Sequence, residues 1–254
     1  MSYAIAEQGN VLPIAAVVQV LLTRAGYATK ADGHFGGKTK KAVQDFQRDH
    51  RPLAMDGRVS VQTWPRLVDR EPGFTVLDCI DVGDPSLYDL EVGHARRHGG
   101  NPLVVGGMCN GVEQAVSMIC GAAAPGSLGL LRFHGHGSAG GAGLGAGDWA
   151  DGDHGNIVNS RTVGMFGRLK SLFSPYGCIQ FMHCSTGSGR SGSATLQAIA
   201  NATGVPASAA LNIQYGGGST TFRFEGPTKT ATPGGGDLKS WAARLPPLYG
   251  RSFA

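Results

Sequence analysis

No run in the sequence approaches the ~18–20 apolar residues of a membrane span, so no transmembrane helix is expected. There is no C-x-x-C pair either. The five cysteines, at positions 79, 109, 120, 178 and 184, are odd in number and mostly sit in or beside apolar runs. In a chain of 254 residues that pattern argues against a disulfide framework and reads Cys79, Cys120 and Cys178 as core thiols. Basic residues interleaved with aromatic ones are missing, which argues against nucleic acid as a partner. The opening, MSYAIAEQGNVLPIAAVV, has an apolar stretch but no basic segment before it. It is expected to start a folded domain rather than serve as a signal peptide. Net charge is absent from the larger part of the chain: residues 71–254 hold 12 Lys/Arg and 12 Asp/Glu. The whole excess of +4 lies in residues 1–70, with ten Lys/Arg against six Asp/Glu, and a modest basic face of that kind suits an anionic polymer.

What is present allows one large or two small domains with a packed core, since 41% of the residues are apolar. Leu12–Ala25 has helical periodicity, with Val17, Val20 and Leu21 on its apolar face. Pro13 is tolerated in the first turn, and Gly26 ends the helix. Lys38–Asp49 is a second helix, burying Ala42, Val43 and Phe46, and Val61–Val68 a short third, with Trp64 and Leu67 inward. An internal echo links them. Asp32-Gly33 precedes Thr39 and Asp56-Gly57 precedes Thr63 by the same interval, each Asp-Gly forming a tight turn, with Phe35 or Val59 entering the core behind it.

These residues resemble the three-helix peptidoglycan-binding domain: Val18, Leu21 or Leu22, Gly26 and Tyr27, then Asp32, Gly33, Phe35, Gly36, Thr39, Ala42, Val43, Phe46 and Gln47, then Asp56, Gly57, Val59, Thr63 and Trp64. The resemblance covers about residues 10–68 and implies binding to the bacterial wall. The sequence departs from it at Ser60, where the family usually has glycine, and at Pro65 after Trp64.

A polar joint, Asp69-Arg70-Glu71-Pro72-Gly73, separates an expected first domain, residues 1–70, from a second, residues 74–254. Strands and helices then alternate. Strands are expected at Phe74–Val82, Pro102–Val105, Leu128–Phe133, Cys178–Met182 and Ala207–Ile213. Helices are expected at Ser86–His98, Gly111–Cys120, Arg161–Phe173 and Ser193–Thr203, the last closed by Gly204. Residues 219–232, between two glycine runs, read as an edge hairpin or flap, and Ser240–Leu245 as a short last helix. The expected fold class is therefore a small all-α three-helix domain followed by an α/β domain with a mostly parallel sheet and helices on both faces.

Two apolar runs in that domain end in reactive side chains: LGLLRFHGHGS at His136-Gly137 and CIQFMHCS at Cys184. Parallel strands present such residues at their carboxyl ends, where open α/β sheets place their sites. If the two strands are neighbours, a thiol and an imidazole meet there, the minimum for a cysteine nucleophile with a general base. His136 and Cys184, 48 residues apart, resemble in order and setting the cysteine peptidases of the caspase–hemoglobinase fold. The local context is more similar still to an uncharacterised bacterial family of that fold found in large secreted proteins. It is carried by Asn110-Gly111-Val112-Glu113-Gln114, Gly135-His136-Gly137-Ser138, His183-Cys184 and Thr203-Gly204 over about residues 74–215.

The resemblance implies a caspase-like domain with Cys184 as nucleophile and His136 as base. It implies an oxyanion hole from the backbone N–H groups of Gly137 and Cys184. His183, where a small residue is usual, departs from the pattern. His134, on the same strand face as His136, and His183 are candidates to line the substrate site. So are Asp148, Asp151 and Asp153, which with His154 could take a basic substrate group or a calcium ion.

The function expected is a wall-targeted cysteine hydrolase, a peptidase or amidase without cofactor, acting outside the cytoplasm as a secreted enzyme or antibacterial toxin. Expected partners are peptidoglycan, a peptide or protein substrate, a secretion apparatus and an immunity protein. Two alternatives stand beside it. One is a non-catalytic wall-binding protein with an inactive α/β domain. The other is a zinc-dependent peptidoglycan hydrolase using His134, His136 and His183 or Cys184. A Cys109-first thiol mechanism is a lesser option, and His94 and His98 read as an exposed helix face.

Overall fold

The computed structural model describes residues 4–9, 11–68, 74–81, 83–106, 110–145, 155–216 and 222–245. Strand β1 (Ala4–Ala6) leads to helix α1 (Pro13–Arg24), helix α2 (Gly37–Asp49), strand β2 (Val59–Ser60) and helix α3 (Thr63–Val68), with β1 and β2 paired antiparallel. Pro13 sits in the first turn of α1, and Gly26 just past its end takes φ +93°, a conformation that costs an L-residue steric strain.

The echoed Asp-Gly turns are built alike around two buried glutamines. Gln19 Nε2 donates to Asp32 Oδ1, the His34 carbonyl and Thr39 Oγ1, while its Oε1 accepts from Gly33 N at 2.8 Å. Gln47 Nε2 donates to Asp56 Oδ1, the Arg58 carbonyl and Thr63 Oγ1, and its Oε1 accepts from Gly57 N at 2.9 Å. Each amide thus answers the polar groups of one turn inside an apolar cluster, where leaving them unpaired would be costly.

The second part contributes strand β3 (Thr75–Asp81), helix α4 (Pro85–Leu87), a π-helical turn (Tyr88–Val92), helix α5 (Gly93–Arg97), strand β4 (Leu103–Val105), helix α6 (Gly111–Ala122) and strand β5 (Leu128–His134). A small antiparallel sheet follows, β6 (Gly137–Ser138), β7 (Gly141–Gly143) and β8 (Ile157–Val158). Then come a 3-10 helix (Val163–Leu172), strand β9 (Phe173–Phe181), helix α7 (Gly189–Thr203), strands β10 (Ala207–Ala210) and β11 (Thr228–Ala231), and helix α8 (Leu238–Ala242). As expected, α7 stops at Gly204 in the left-handed conformation.

The main sheet has six strands in the order β11-β10-β9-β5-β3-β4, all parallel except β11, which runs antiparallel to β10. From β3 the chain first moves outward to β4 and then returns to the other side as β5. The carboxyl ends of β3 and β5 therefore border the topological switch point, where open sheets form a crevice.

Helices α6 and α7 and the 3-10 helix cover one face over Leu131, Phe133, Ile179 and Phe181. Much of the other face is covered by the first segment itself. Ile14, Val17 and Leu21 of α1, Trp64 of α3 and Trp241 of α8 share one buried cluster with Leu130, Tyr176 and Cys178 of the sheet. Polar contacts fix the same seam: Arg24 Nη1 donates to Tyr176 Oη at 2.6 Å, Trp64 Nε1 to the Phe74 carbonyl at 3.2 Å, and Arg132 Nη1 to the Ala4 carbonyl at 2.9 Å. The expected joint, residues 69–73, lies outside the described residues.

Burial pushes up the thiols of Cys79 and Cys178, Cys178 to about 12, so neither is a thiolate at neutral pH. Cys120 is half-buried against the cluster that α6, α7 and the 3-10 helix form with the sheet.

Candidate site at the carboxyl rim of the sheet

Neighbouring strands β5 and β9 end at one rim, so the stretches after them meet. His136 and Gly137 follow β5; Cys184 follows β9. The turn after Cys184 is tied down on two sides. Ser185 N donates to the Asn212 carbonyl at 2.9 Å and Gly187 N to the Ala210 carbonyl at 2.8 Å, while Thr186 Oγ1 donates to the Gly141 carbonyl at 2.9 Å. Ser185 adopts φ +52°, unusual for a residue with a side chain and of the kind that surrounding structure must impose. Gly137 is wedged against this turn: a Cβ there would lie 2.7 Å from the Cys184 carbonyl oxygen and 2.6 Å from Thr186 Oγ1.

His136 is held across the switch point. Its Nε2 lies 2.9 Å from Asp84 Oδ2, in the loop after β3. Asp84 divides its oxygens, Oδ1 accepting from Ser86 N and Ser86 Oγ at 2.8 Å each. The hydrogen bonds from His136 and then Ser86 hold the Asp84 carboxyl down to about 2, so it is ionised at neutral pH and Nε2 of His136 serves as donor. The imidazole is 61% exposed, and its Nδ1 is the nitrogen left for other chemistry.

Cys184 is half-buried, and its sulfur touches the segment after β10. Sγ lies 3.3 Å from the Gln214 carbonyl oxygen, and Gln214 N donates to Sγ at 3.3 Å. Beside this contact stands Tyr215, 83% exposed.

His134 and His183, expected at the substrate-facing rim, are instead fully buried, on opposite faces of the sheet. His134 Nε2 lies 2.7 Å from Asp78 Oδ1 and its Nδ1 2.8 Å from Glu91 Oε2; Arg132 Nε and Nη2 reach the Asp78 carboxylate at 2.8 and 3.2 Å. Burial alone would lower the His134 pKa, but Glu91 and Asp78 outweigh it and push it up to about 9. Burial likewise acts to raise the Asp78 pKa, yet Arg132 and His134 hold it below the usual carboxylate range. With both ring nitrogens facing carboxylates, His134 is part of a charge-balanced bolt between β3, β5 and the π-helical turn. His183 Nε2 donates to the Gly143 carbonyl at 3.0 Å, and burial holds its pKa down to about 3, so the ring is neutral. It braces the β6–β7 hairpin from below.

Asp148, Asp151, Asp153, His154 and Cys109 lie outside the described residues. Among the described residues no three His, Cys, Asp or Glu side chains are grouped to hold a metal ion. Three contributors escaped the sequence. Asp84 sits in a Gly-Asp-Pro-Ser stretch that announces only a helix start, Glu91 lies inside a helical pattern, and Gln214 follows a strand. The switch point brings Asp84 and Glu91 to the end of β5, and the pairing of β9 with β10 brings Gln214 to Cys184.

The arrangement defines an α/β sheet with a candidate thiol–imidazole rim and a helical layer on its back. Comparison with known proteins identifies the helical layer. Residues 15–67 match the family model described as "Putative peptidoglycan binding domain". The chain thus carries an N-terminal peptidoglycan-binding domain, which supports targeting to the cell wall. No curated protein and no solved structure matches the chain. No helix of the described residues is long and apolar enough to cross a membrane.

Proposed function

We propose that this chain is a wall-targeted cysteine hydrolase, cleaving a peptide or amide bond with Cys184 as nucleophile and His136 as base. The observation that carries the proposal is the meeting of the two strand ends. Gly137 lies against the Cys184 carbonyl, and an ionised Asp84 holds His136 by Nε2, which leaves Nδ1 as the nitrogen available to take a proton. The third side chain thus fixes tautomer and orientation, as a carboxylate does behind a catalytic imidazole.

In the proposed reaction His136 takes the thiol proton and the sulfur attacks the substrate carbonyl carbon. The resulting oxyanion is met by the N–H groups of Gly137 and Cys184. His136 then protonates the leaving amine, and water, deprotonated by His136, hydrolyses the thioester. The strand order, with its switch point under this rim, supports a caspase-like domain. Action outside the cytoplasm, as a secreted enzyme or as a toxin delivered by a dedicated apparatus and countered by an immunity protein, belongs to the same proposal.

A binding-only protein is the second reading. It is favoured by one contact: the thiol is engaged by the Gln214 backbone, which a substrate would have to displace. The test is incubation of the full chain with purified peptidoglycan and with casein, followed by mass analysis of the fragments. Cleavage by the wild type, lost by at least a thousandfold in Cys184→Ala while wall pelleting persists, is expected. Cleavage retained by that variant rejects the mechanism, and no cleavage by the wild type favours the binding protein.

A further inference from the structure

The peptidoglycan-binding domain has a candidate wall-facing surface on the side turned away from the sheet. One side of α1 and α3 is sealed against the sheet through Ile14, Val17, Leu21 and Trp64, all nearly or fully buried. On the side formed by α2 and the segment after α1 lie two open cavities. One, of about 620 Å³, is lined by residues that include Gln19, Lys30, Asp32, His34 and Lys38. The other, of about 450 Å³, is lined by residues that include Tyr27, Lys38, Lys41, Asp45 and Arg48. Both include Ala28 and Lys38, so they join into one elongated groove with Lys38 at its middle.

The charges of the groove are not equivalent. Lys41 and Arg48 are tied to Asp45 at 2.8 and 2.9 Å, and Lys30 stands 3.6 Å from Asp32. Lys38 is exposed and has no ion-pair partner among the described residues. At one end the Tyr27 ring is fixed, edge-on to Phe46 with centroids 5.6 Å apart and its hydroxyl donating to Asp49 at 2.9 Å. A rigid aromatic ring beside an unpaired ammonium suits a ligand with flat apolar sugar faces and acidic branches, and the +4 excess of residues 1–70 has the right sign.

We infer that this groove is the wall-binding site. A peptidoglycan strand lies along α2, with Tyr27 under a sugar ring and Lys38 against a carboxylate of the stem peptide. The inference rests on the wall-binding assignment of the domain and adds where and by which group the wall is held.

The test uses the full chain in a pelleting titration against purified peptidoglycan. Lys38→Glu should weaken binding at least tenfold and Tyr27→Ala severalfold, while Lys38→Arg stays within threefold of the wild type. Lys229→Glu, the same charge change at an exposed position of strand β11, should stay within twofold. Converting the carboxyl groups of the peptidoglycan to amides should weaken the wild type to the level of Lys38→Glu. Undiminished binding by Lys38→Glu overturns the groove, and so does equal weakening by Lys229→Glu, which would mark a diffuse charge effect. Undiminished binding to amidated peptidoglycan overturns the carboxylate contact. Failure of the wild type to pellet overturns the wall-binding assignment itself, and the groove falls with it.

Discussion

His134 and His183 are both fully buried histidines near the same rim, yet they titrate in opposite directions because of what faces them. Between Asp78 and Glu91 the ring of His134 keeps its proton; against a lone carbonyl the ring of His183 gives it up. For His134 the folded pKa of about 9 exceeds the unfolded value of about 6.5. Its stabilisation is therefore complete below the unfolded value and is lost as pH rises through about 9. For His183 the folded pKa, about 3, lies below the unfolded one. Between those values the unfolded chain binds the proton that the folded chain refuses, so stability falls on acidification. At about 1.4 kcal/mol per pH unit, His183 should remove roughly 2–3 kcal/mol between pH 7 and pH 4.5. His183→Gln keeps a donor for Gly143 without a titrating group. Urea unfolding at the two pH values should show the variant losing that much less than the wild type. Parallel losses in the two proteins would contradict the neutral, buried ring.

At the scale of elements, the two glutamine-centred turns hold the first three helices in register. Gln47→Ala would strand Gly57 N and withdraw the donors to Asp56, Arg58 and Thr63 in an apolar setting. A loss of about 2–3 kcal/mol is expected, against less than about 0.5 kcal/mol for exposed Gln62→Ala, measured by denaturant midpoint. Equal effects would mean that water already serves that turn.

Many of the elements could be read in the sequence because burial leaves a period. The runs giving β3 and β5 and the glycine closing α7 were plain, as was a mostly parallel sheet. The 3-10 helix was visible as a helix but not as its type, although its buried Phe166, Leu169 and Leu172 recur every three residues, the repeat of the tighter coil. The start of β9 at Phe173 was hidden by Pro175 and Gly177, which locally signal a break. In the sheet Pro175 faces solvent, and Gly177 is needed because a Cβ would meet the Phe173 ring at 2.7 Å. Within the candidate site, His136, Gly137 and Cys184 stood out as reactive ends of apolar runs. Asp84 did not, since its meeting with His136 across 52 residues exists only through strand order.

At the scale of the molecule, the peptidoglycan-binding helices and the sheet share a core, so their stabilities are coupled. Calorimetry of the full chain should show one cooperative transition. A fragment of residues 74–254 should bind a hydrophobic dye and lack that transition, because Phe74, Leu130 and Tyr176 would lose their cover. Two separate transitions, or a fragment that melts cooperatively, would mean that the seam contributes little.

That seam also bears on the proposed hydrolysis of the wall. A hydrolase tethered by a flexible linker sweeps whatever lies within its leash. Here the proposed gripping surface and the thiol belong to parts that share one core, like the jaws of a caliper locked at one opening. In the proposed reaction only bonds at a single offset from the bound strand would come within reach, so the spacing of cuts along the wall would be dictated by the protein and not by diffusion.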